Sequence, residues 1–193
     1  GGELGKKGYY TAFFHGADNG SMGFEAFART AGYTHYFGRT EYNEANPDNK
    51  DFDGHWGIWD EKFFQFFGNT LSGFQQPFAA ALFSLSSHHP FAVPAEYEGV
   101  FPKGNKPIRQ CIGYTDNALK LFFEKVSKEP WYKNTLFVFT ADHTNSPERP
   151  EYETESGLFS VPVVFYQPGS DLKGFRKDVI AQQIDIMPTV LGY

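Results

Sequence analysis

The residues of this 193-residue chain best suited to chemistry sit where apolar runs end: Phe13-Phe14-His15-Gly16, Leu85-Ser86-Ser87-His88-His89-Pro90 and Phe139-Thr140-Ala141-Asp142-His143. Asp142 and His143 form the sharpest pair. A carboxylate oxygen and a neutral imidazole nitrogen together suit borderline divalent ions such as zinc or manganese. Adjacent residues can both ligate if the backbone leaves strand geometry between them. The competing reading is an aspartate capping the next turn beside a surface histidine. His15 and His88 could donate hydrogen bonds to phosphate or sulfate oxygens, or transfer a proton, because imidazole titrates near neutral pH. Taken singly, each reads more readily as a packed or turn histidine. His89 points away from His88 if strand geometry persists through both, and His35 and His55 lie in weakly patterned segments.

Other candidates carry less. Gly16-Ala17-Asp18-Asn19-Gly20-Ser21-Met22-Gly23 is a glycine-rich turn before a helix, where backbone amides could meet an anion. It lacks both the Walker and the dinucleotide-binding spacing, so turn chemistry is the better reading, with Ser21 as a helix cap. Trp56, Trp59 and the neighbouring Phe residues read as aromatic core before pocket lining. Arg39 and Arg109 are available anion ligands that their local spacing does not single out.

Four short apolar runs predict buried strands that would hold these groups: Tyr9 to Phe14, Phe78 to Leu85, Thr135 to Thr140 and Val161 to Tyr166. Three of the four lead into one of the histidines. In open α/β sheets ligands gather beyond the carboxyl ends of the strands, so the histidines could share one site. Ile108, Ile112, Thr115, Leu119, Phe122, Phe123 and Val126 recur at helical spacing ahead of Pro130. Shorter helices are expected around Phe24 to Ala31, stopped by Gly32, and over Glu61 to Phe67. Ile180, Ile184, Met187 and Leu191 sketch a last helix that Pro188 interrupts or restarts. Asn43 to His55, Val93 to Pro107 and Ser146 to Gly157 read as loops. Strands alternating with helices favour an α/β sheet over an all-β sandwich.

Composition narrows the function classes. Apolar residues make up 40% of the chain and aromatic residues 19%, too much for a disordered segment. With 17 basic and 23 acidic residues there is no broad cationic surface for nucleic acid. The single Cys111 excludes an internal disulfide framework and a cysteine-based zinc site. No apolar run reaches the ~18 residues of a membrane span. Gly1 to Lys7 lacks the apolar core of a signal peptide. One domain over residues 1–193 is the expectation.

The order of the motifs resembles the extracellular catalytic domain of lipoteichoic acid synthases and related phosphoglycerol transferases, within the alkaline phosphatase and sulfatase superfamily. The matching pieces are Phe14-His15-Gly16, Ala31-Gly32-Tyr33, Trp56-Gly57-Ile58-Trp59-Asp60, Pro77-Phe78 through Ser87-His88-His89-Pro90-Phe91, Tyr114-Thr115-Asp116, Asn134-Thr135 through Ala141-Asp142-His143, and Gln183-Ile184-Asp185-Ile186-Met187-Pro188-Thr189. The resemblance implies an alkaline phosphatase-like sheet with helices on both faces. It also implies one divalent ion on Asp142 and His143, manganese first, with zinc, calcium or magnesium as alternatives. His15 and His88 fall where that family contacts the substrate phosphate. The family's threonine nucleophile and first acidic ligand lie upstream of the match to His15, and Thr11 is too close to His15 to be that threonine. The family's Trp and Arg of the glycerol phosphate pocket are replaced by Ser21-Met22-Gly23-Phe24.

The resulting expectation is the carboxy-terminal portion of one sulfatase-like domain, lacking amino-terminal strands and turning over little by itself. An exposed sheet edge would favour association. The parent would be a phosphotransferase or phosphodiesterase acting on a small anionic phosphoester of the cell envelope. It would lie outside the cytoplasm and be held at the membrane by segments outside this chain. A sulfatase, and a non-catalytic domain binding an anion or a glycan, are the alternatives.

Overall fold

The structure is a computed structural model that describes residues 1–171, 174–176 and 178–193. The chain divides into two compact units, Gly1–Val126 and Ser127–Tyr193.

In the first unit the elements run α1 (Gly2–Lys6), β1 (Tyr10–His15), α2 (Phe24–Thr30), β2 (His35–Phe37), α3 (Arg39–Ala45), α4 (Asp60–Ser72), β3 (Phe78–Phe83) and α5 (Ile108–Val126). The three strands form a parallel sheet in the order β2-β1-β3. Parallel neighbours require crossovers, which α2 supplies between β1 and β2, and α3 with α4 between β2 and β3. As the central strand, β1 is buried from Thr11 through His15. Its side chains alternate. Ala12 and Phe14 pack with Tyr42, Ile58 and Phe63 of the α3–α4 side, whereas Phe13 meets Phe24, Phe27 and Tyr33 of the α2 side. Helices therefore cover both faces, as expected of an alkaline phosphatase-like sheet.

The predicted helix over 108–126 is present, with its buried stripe rotated from the one expected. Cys111, Tyr114, Ala118, Phe122 and Val126 are buried, while Ile112 is 54% exposed. The aromatic bulk decides the face, because Phe122 stacks on Phe67 of α4 with ring centroids 5.6 Å apart. Gly68 lets the two helices approach, since a Cβ there would stand 3.1 Å from Val126 Cγ1. Gly32 ends α2 at φ +79°, with its N–H donating to Arg29 O and that of Tyr33 to Ala28 O. Ser21 is not the cap anticipated for α2. It opens a separate 3-10 turn, and Gly23 precedes the helix without a side-chain cap.

In the second unit β4 (Phe137–Thr140) and β5 (Val163–Tyr166) pair antiparallel, and α6 (Ile186–Gly192) follows a 3-10 turn over Gln183–Asp185. Pro188 lies in the first turn of α6, where a missing N–H breaks no helical bond. Ile180, Ile184 and Met187 are 95%, 75% and 64% exposed, so the regular apolar spacing there does not mark a buried face. The expected loops hold only short turns, apart from α3 reaching into the first of them as far as Ala45. Among the described residues no helix is long and apolar enough to cross a membrane.

Candidate functional site

His15 closes β1 on the α2 face and is 1% exposed. Phe24 stacks on its ring at 4.0 Å and Phe83 meets it edge-on at 5.7 Å. Nδ1 lies 3.5 Å from the Tyr36 hydroxyl, and Nε2 is buried without a hydrogen-bond partner. Burial pushes the imidazole pKa down to about 4, because the charged ring would lose its hydration. Near neutral pH His15 is thus an uncharged group with one uncommitted nitrogen, sealed by Phe24. The same strand carries Thr11, fully buried, whose hydroxyl contacts Thr34 Oγ1 at 3.2 Å and accepts from Thr34 N at 3.1 Å. These contacts tie β1 to the segment that leads into β2.

Past His15, the segment before α4 docks onto the strand end. Ile58 N donates to Gly16 O at 2.9 Å, and Ala17 bridges Gly57. Asp53 Oδ1 accepts the backbone N–H groups of His55, Trp56 and Gly57 at 2.8, 2.8 and 3.0 Å, curling this segment into a tight turn. Arg39 stays beside it, with Nη1 3.1 Å from Asp18 and its guanidinium 3.7 Å over the Phe52 ring.

His88 does not end a strand. β3 stops at Phe83, and His88 closes a turn in which its N–H donates to Leu85 O at 3.1 Å. Strand alternation therefore does not decide which way His88 and His89 face. The His88 ring is exposed and touches Trp56 edge-on at 4.4 Å, while Trp56 Nε1 donates to His89 O at 2.5 Å. His88 Nδ1 lies 3.1 Å from His89 O. A carbonyl partner requires a hydrogen on Nδ1, so the neutral ring presents an unprotonated Nε2. A niche beside it is lined by Asp53, Trp56, Trp59, Ser86, His88 and Pro90, among others. Both tryptophans are only half-buried, and they line this niche rather than the core expected for them. His15 is not among its lining residues.

Beneath the niche lies a carboxylate that the motif reading did not single out. Asp60, the first residue of α4, is 1% exposed. Its Oδ1 accepts from Leu85 N at 2.8 Å, and its Oδ2 from Ser86 N at 3.1 Å and Thr115 Oγ1 at 3.2 Å. Its own N–H donates to Ser86 Oγ at 3.0 Å. Burial raises the acid to about 6 against the opposing pull of these hydrogen bonds. Locally, an acidic residue at a helix start reads as a dipole partner. Its actual partners are 25 to 55 residues away, so no local signal could have revealed them.

In the second unit Asp142 and His143 follow β4 on an exposed bend. His143 N donates to Asp142 Oδ1 at 2.8 Å, and Nε2 stands 3.5 Å from Asp142 Oδ2. Nδ1 faces Thr144 O at 3.1 Å, an acceptor that calls for a hydrogen on Nδ1. Gln183 Nε2 donates to the carbonyls of Ala141 and Asp142 at 2.6 and 2.9 Å, bracing the bend. The donor set fits a divalent ion in type but supplies two ligands. Among the described residues no group of three His, Cys, Asp or Glu could hold a metal.

A parallel sheet covered by helices on both faces is an α/β architecture, in which ligand-binding groups gather beyond the carboxyl ends of the strands. Residues 4–193 match the Sulfatase family, and the chain belongs to it, within the alkaline phosphatase superfamily. Lipoteichoic acid synthase 1 of Bacillus subtilis (strain 168) is 25% identical over 205 residues, covering 96% of this chain and 31% of that protein. Phosphoglycerol transferase I of Escherichia coli (strain SMS-3-5 / SECEC) is 26% identical over 149 residues, covering 72% of this chain and 19% of that protein. A solved alkaline phosphatase superfamily protein from Vibrio parahaemolyticus superposes with a TM-score of 0.79 at 25% identity, covering 98% of this chain and 45% of that one. The chain spans about a third or less of the length of these curated relatives.

Proposed function

We propose that this chain is part of a metal-dependent enzyme that transfers or hydrolyses a phosphoryl or phosphoglycerol group on a phosphorylated envelope substrate outside the cytoplasm. The observation that carries this reading is the Asp142 and His143 pair. In a Sulfatase-family chain, an exposed carboxylate and an imidazole nitrogen lie 3.5 Å apart just past a strand end, with the other ring nitrogen turned to a backbone carbonyl. The names of the relatives favour a phosphoester over a sulfate ester.

In this reading Asp142 and His143 hold one divalent ion, manganese in preference to zinc, calcium or magnesium. A divalent ion bound there supplies Lewis-acid stabilisation of charge on the transferred group. His88 takes a proton at Nε2 or, once protonated, donates to an oxyanion of the substrate. His15, held neutral by its burial, contributes a hydrogen bond rather than a charge, and its buried Nε2 must be uncovered to reach a ligand. Neither role calls on the rest of the apolar core.

Metal analysis of the purified full-length protein tests the reading. It should carry a divalent ion that Asp142→Ala and His143→Ala each release, with loss of turnover of a glycerophosphodiester. A full-length protein free of divalent ion, or variants that keep their turnover, would sink it. Turnover of a sulfate ester in place of the phosphodiester would shift the substrate class.

A further inference from the structure

Asp60 and the turn that carries His88 point to a role for a buried carboxylate that lies away from the proposed chemistry. The turn opens on two consecutive backbone N–H groups, Leu85 and Ser86, and closes on His88. Consecutive amides need two acceptors side by side, which a carboxylate offers and an amide side chain does not. Asp60 gives one oxygen to each, and Ser86 Oγ returns the contact by accepting from Asp60 N. Thr115 of α5 fixes the carboxylate from behind. On the outer side, Trp56 grips His89 O and abuts the His88 ring. Because Trp59 and Asp60 are adjacent, the residue that braces the turn also places an indole in the lining of the niche.

We propose that Asp60 is a positioning residue for His88: by fixing the Leu85 and Ser86 amides it sets where the turn delivers the imidazole against Trp56 and the niche. This rests on the reading of His88 as a substrate contact. Replacing Asp60 by asparagine keeps the volume and one acceptor, but sets an N–H donor against a backbone N–H. The turn then has to shift, and its last residue moves with it.

The test is a double-mutant cycle with two readouts. An indole touching an imidazole is quenched, so in this chain His88→Ala should brighten the tryptophan emission, and Trp56→Phe should remove that gain. Asp60→Asn should brighten it to a similar extent, and the double variant no further, since both act on one contact. In the full-length protein, Asp60→Asn and His88→Ala should each raise KM for the phosphodiester about tenfold, and the pair together should equal His88→Ala alone. If the effects of Asp60→Asn and His88→Ala multiply, or if Asp60→Asn folds and leaves the Trp56 emission unchanged, the positioning role is overturned. If Asp60→Asn does not fold, Thr115→Val decides, because it keeps the carboxylate and removes one of its donors. Its emission should move in the same direction by a smaller amount, and no movement rejects the role. Should His88→Ala leave KM unchanged, the substrate role of His88 fails, while the emission cycle still decides whether Asp60 positions the ring.

Discussion

Asp60→Asn also makes a thermodynamic prediction that is independent of any activity. In the unfolded chain this carboxyl loses its proton near the ordinary 3.8, whereas in the fold it does so at about 6. A folded pKa above the unfolded one means that the native state holds the proton more tightly. The stabilisation is complete below the unfolded value and is lost as pH rises through the folded value. The gap is a little over two decades of proton affinity. At roughly 1.4 kcal/mol per decade it costs wild type about 3 kcal/mol between acidic and neutral pH. Asparagine does not titrate. Its fixed penalty is the amide set against a backbone N–H, about 1 to 3 kcal/mol. Unfolding by urea should therefore show the variant weaker than wild type by that fixed amount near pH 3, and level with it or stronger near pH 8. The quantity to follow is the stability difference as a function of pH, because every other titrating group cancels in it. A flat difference, or a variant that weakens further against wild type as pH rises, would mean that the hydrogen bonds from Leu85, Ser86 and Thr115 outweigh burial, and the reasoning would fail.

Two further outcomes are expected. Phe24→Ala uncovers the His15 ring, so its pKa should climb from about 4 toward the ordinary 6.5; histidine resonances followed by NMR against pH report it, and an unmoved value would show that Phe24 is not what seals the ring. Gly57→Ala places a Cβ 2.3 Å from Gly16 O and 2.8 Å from Ala17 N, which only backbone movement can relieve. It should cost about 1 to 3 kcal/mol in chemical denaturation and perturb the amide resonances of Gly16 and Ala17, whereas full stability would show that the approach is looser than described.

The motif order in the sequence was enough to place the chain in its family, and periodicity located most of the elements. The runs ahead of His15, His88 and Asp142 became β1, β3 and β4 because each is a short block of apolar residues bounded by polar ones, a pattern that needs no knowledge of neighbours. β2 escaped notice because three residues, His35–Phe37, are too few to display a period. The α5 pattern predicted a helix and misjudged its buried face. Spacing alone cannot say which of two adjacent apolar stripes meets the aromatic side of α4. Hydrophobicity points Trp56 and Trp59 to the core, yet both line a niche, in and beside a loop over 51–58 that backbone bonds tie to Gly16 and Ala17.

The residue types of the candidate site were likewise legible, as histidines and an aspartate following apolar runs. Their states were not. Nothing in Phe14-His15-Gly16 tells that the ring is sealed and neutral, since that follows from Phe24 and Phe83 closing over it. Asp142 and His143 could be paired from the sequence because neighbours in the chain are neighbours in space. What the His143 Nδ1 meets depends on where Thr144 O comes to lie. Asp60 marks the limit most plainly: the sequence supplies an aspartate at a helix start, and only folding brings the Leu85 and Ser86 amides and Thr115 around it. Local sequence determines which groups exist and which elements carry them. Protonation, accessibility and hydrogen-bond partners are set by the atoms that tertiary contact brings within a few ångströms.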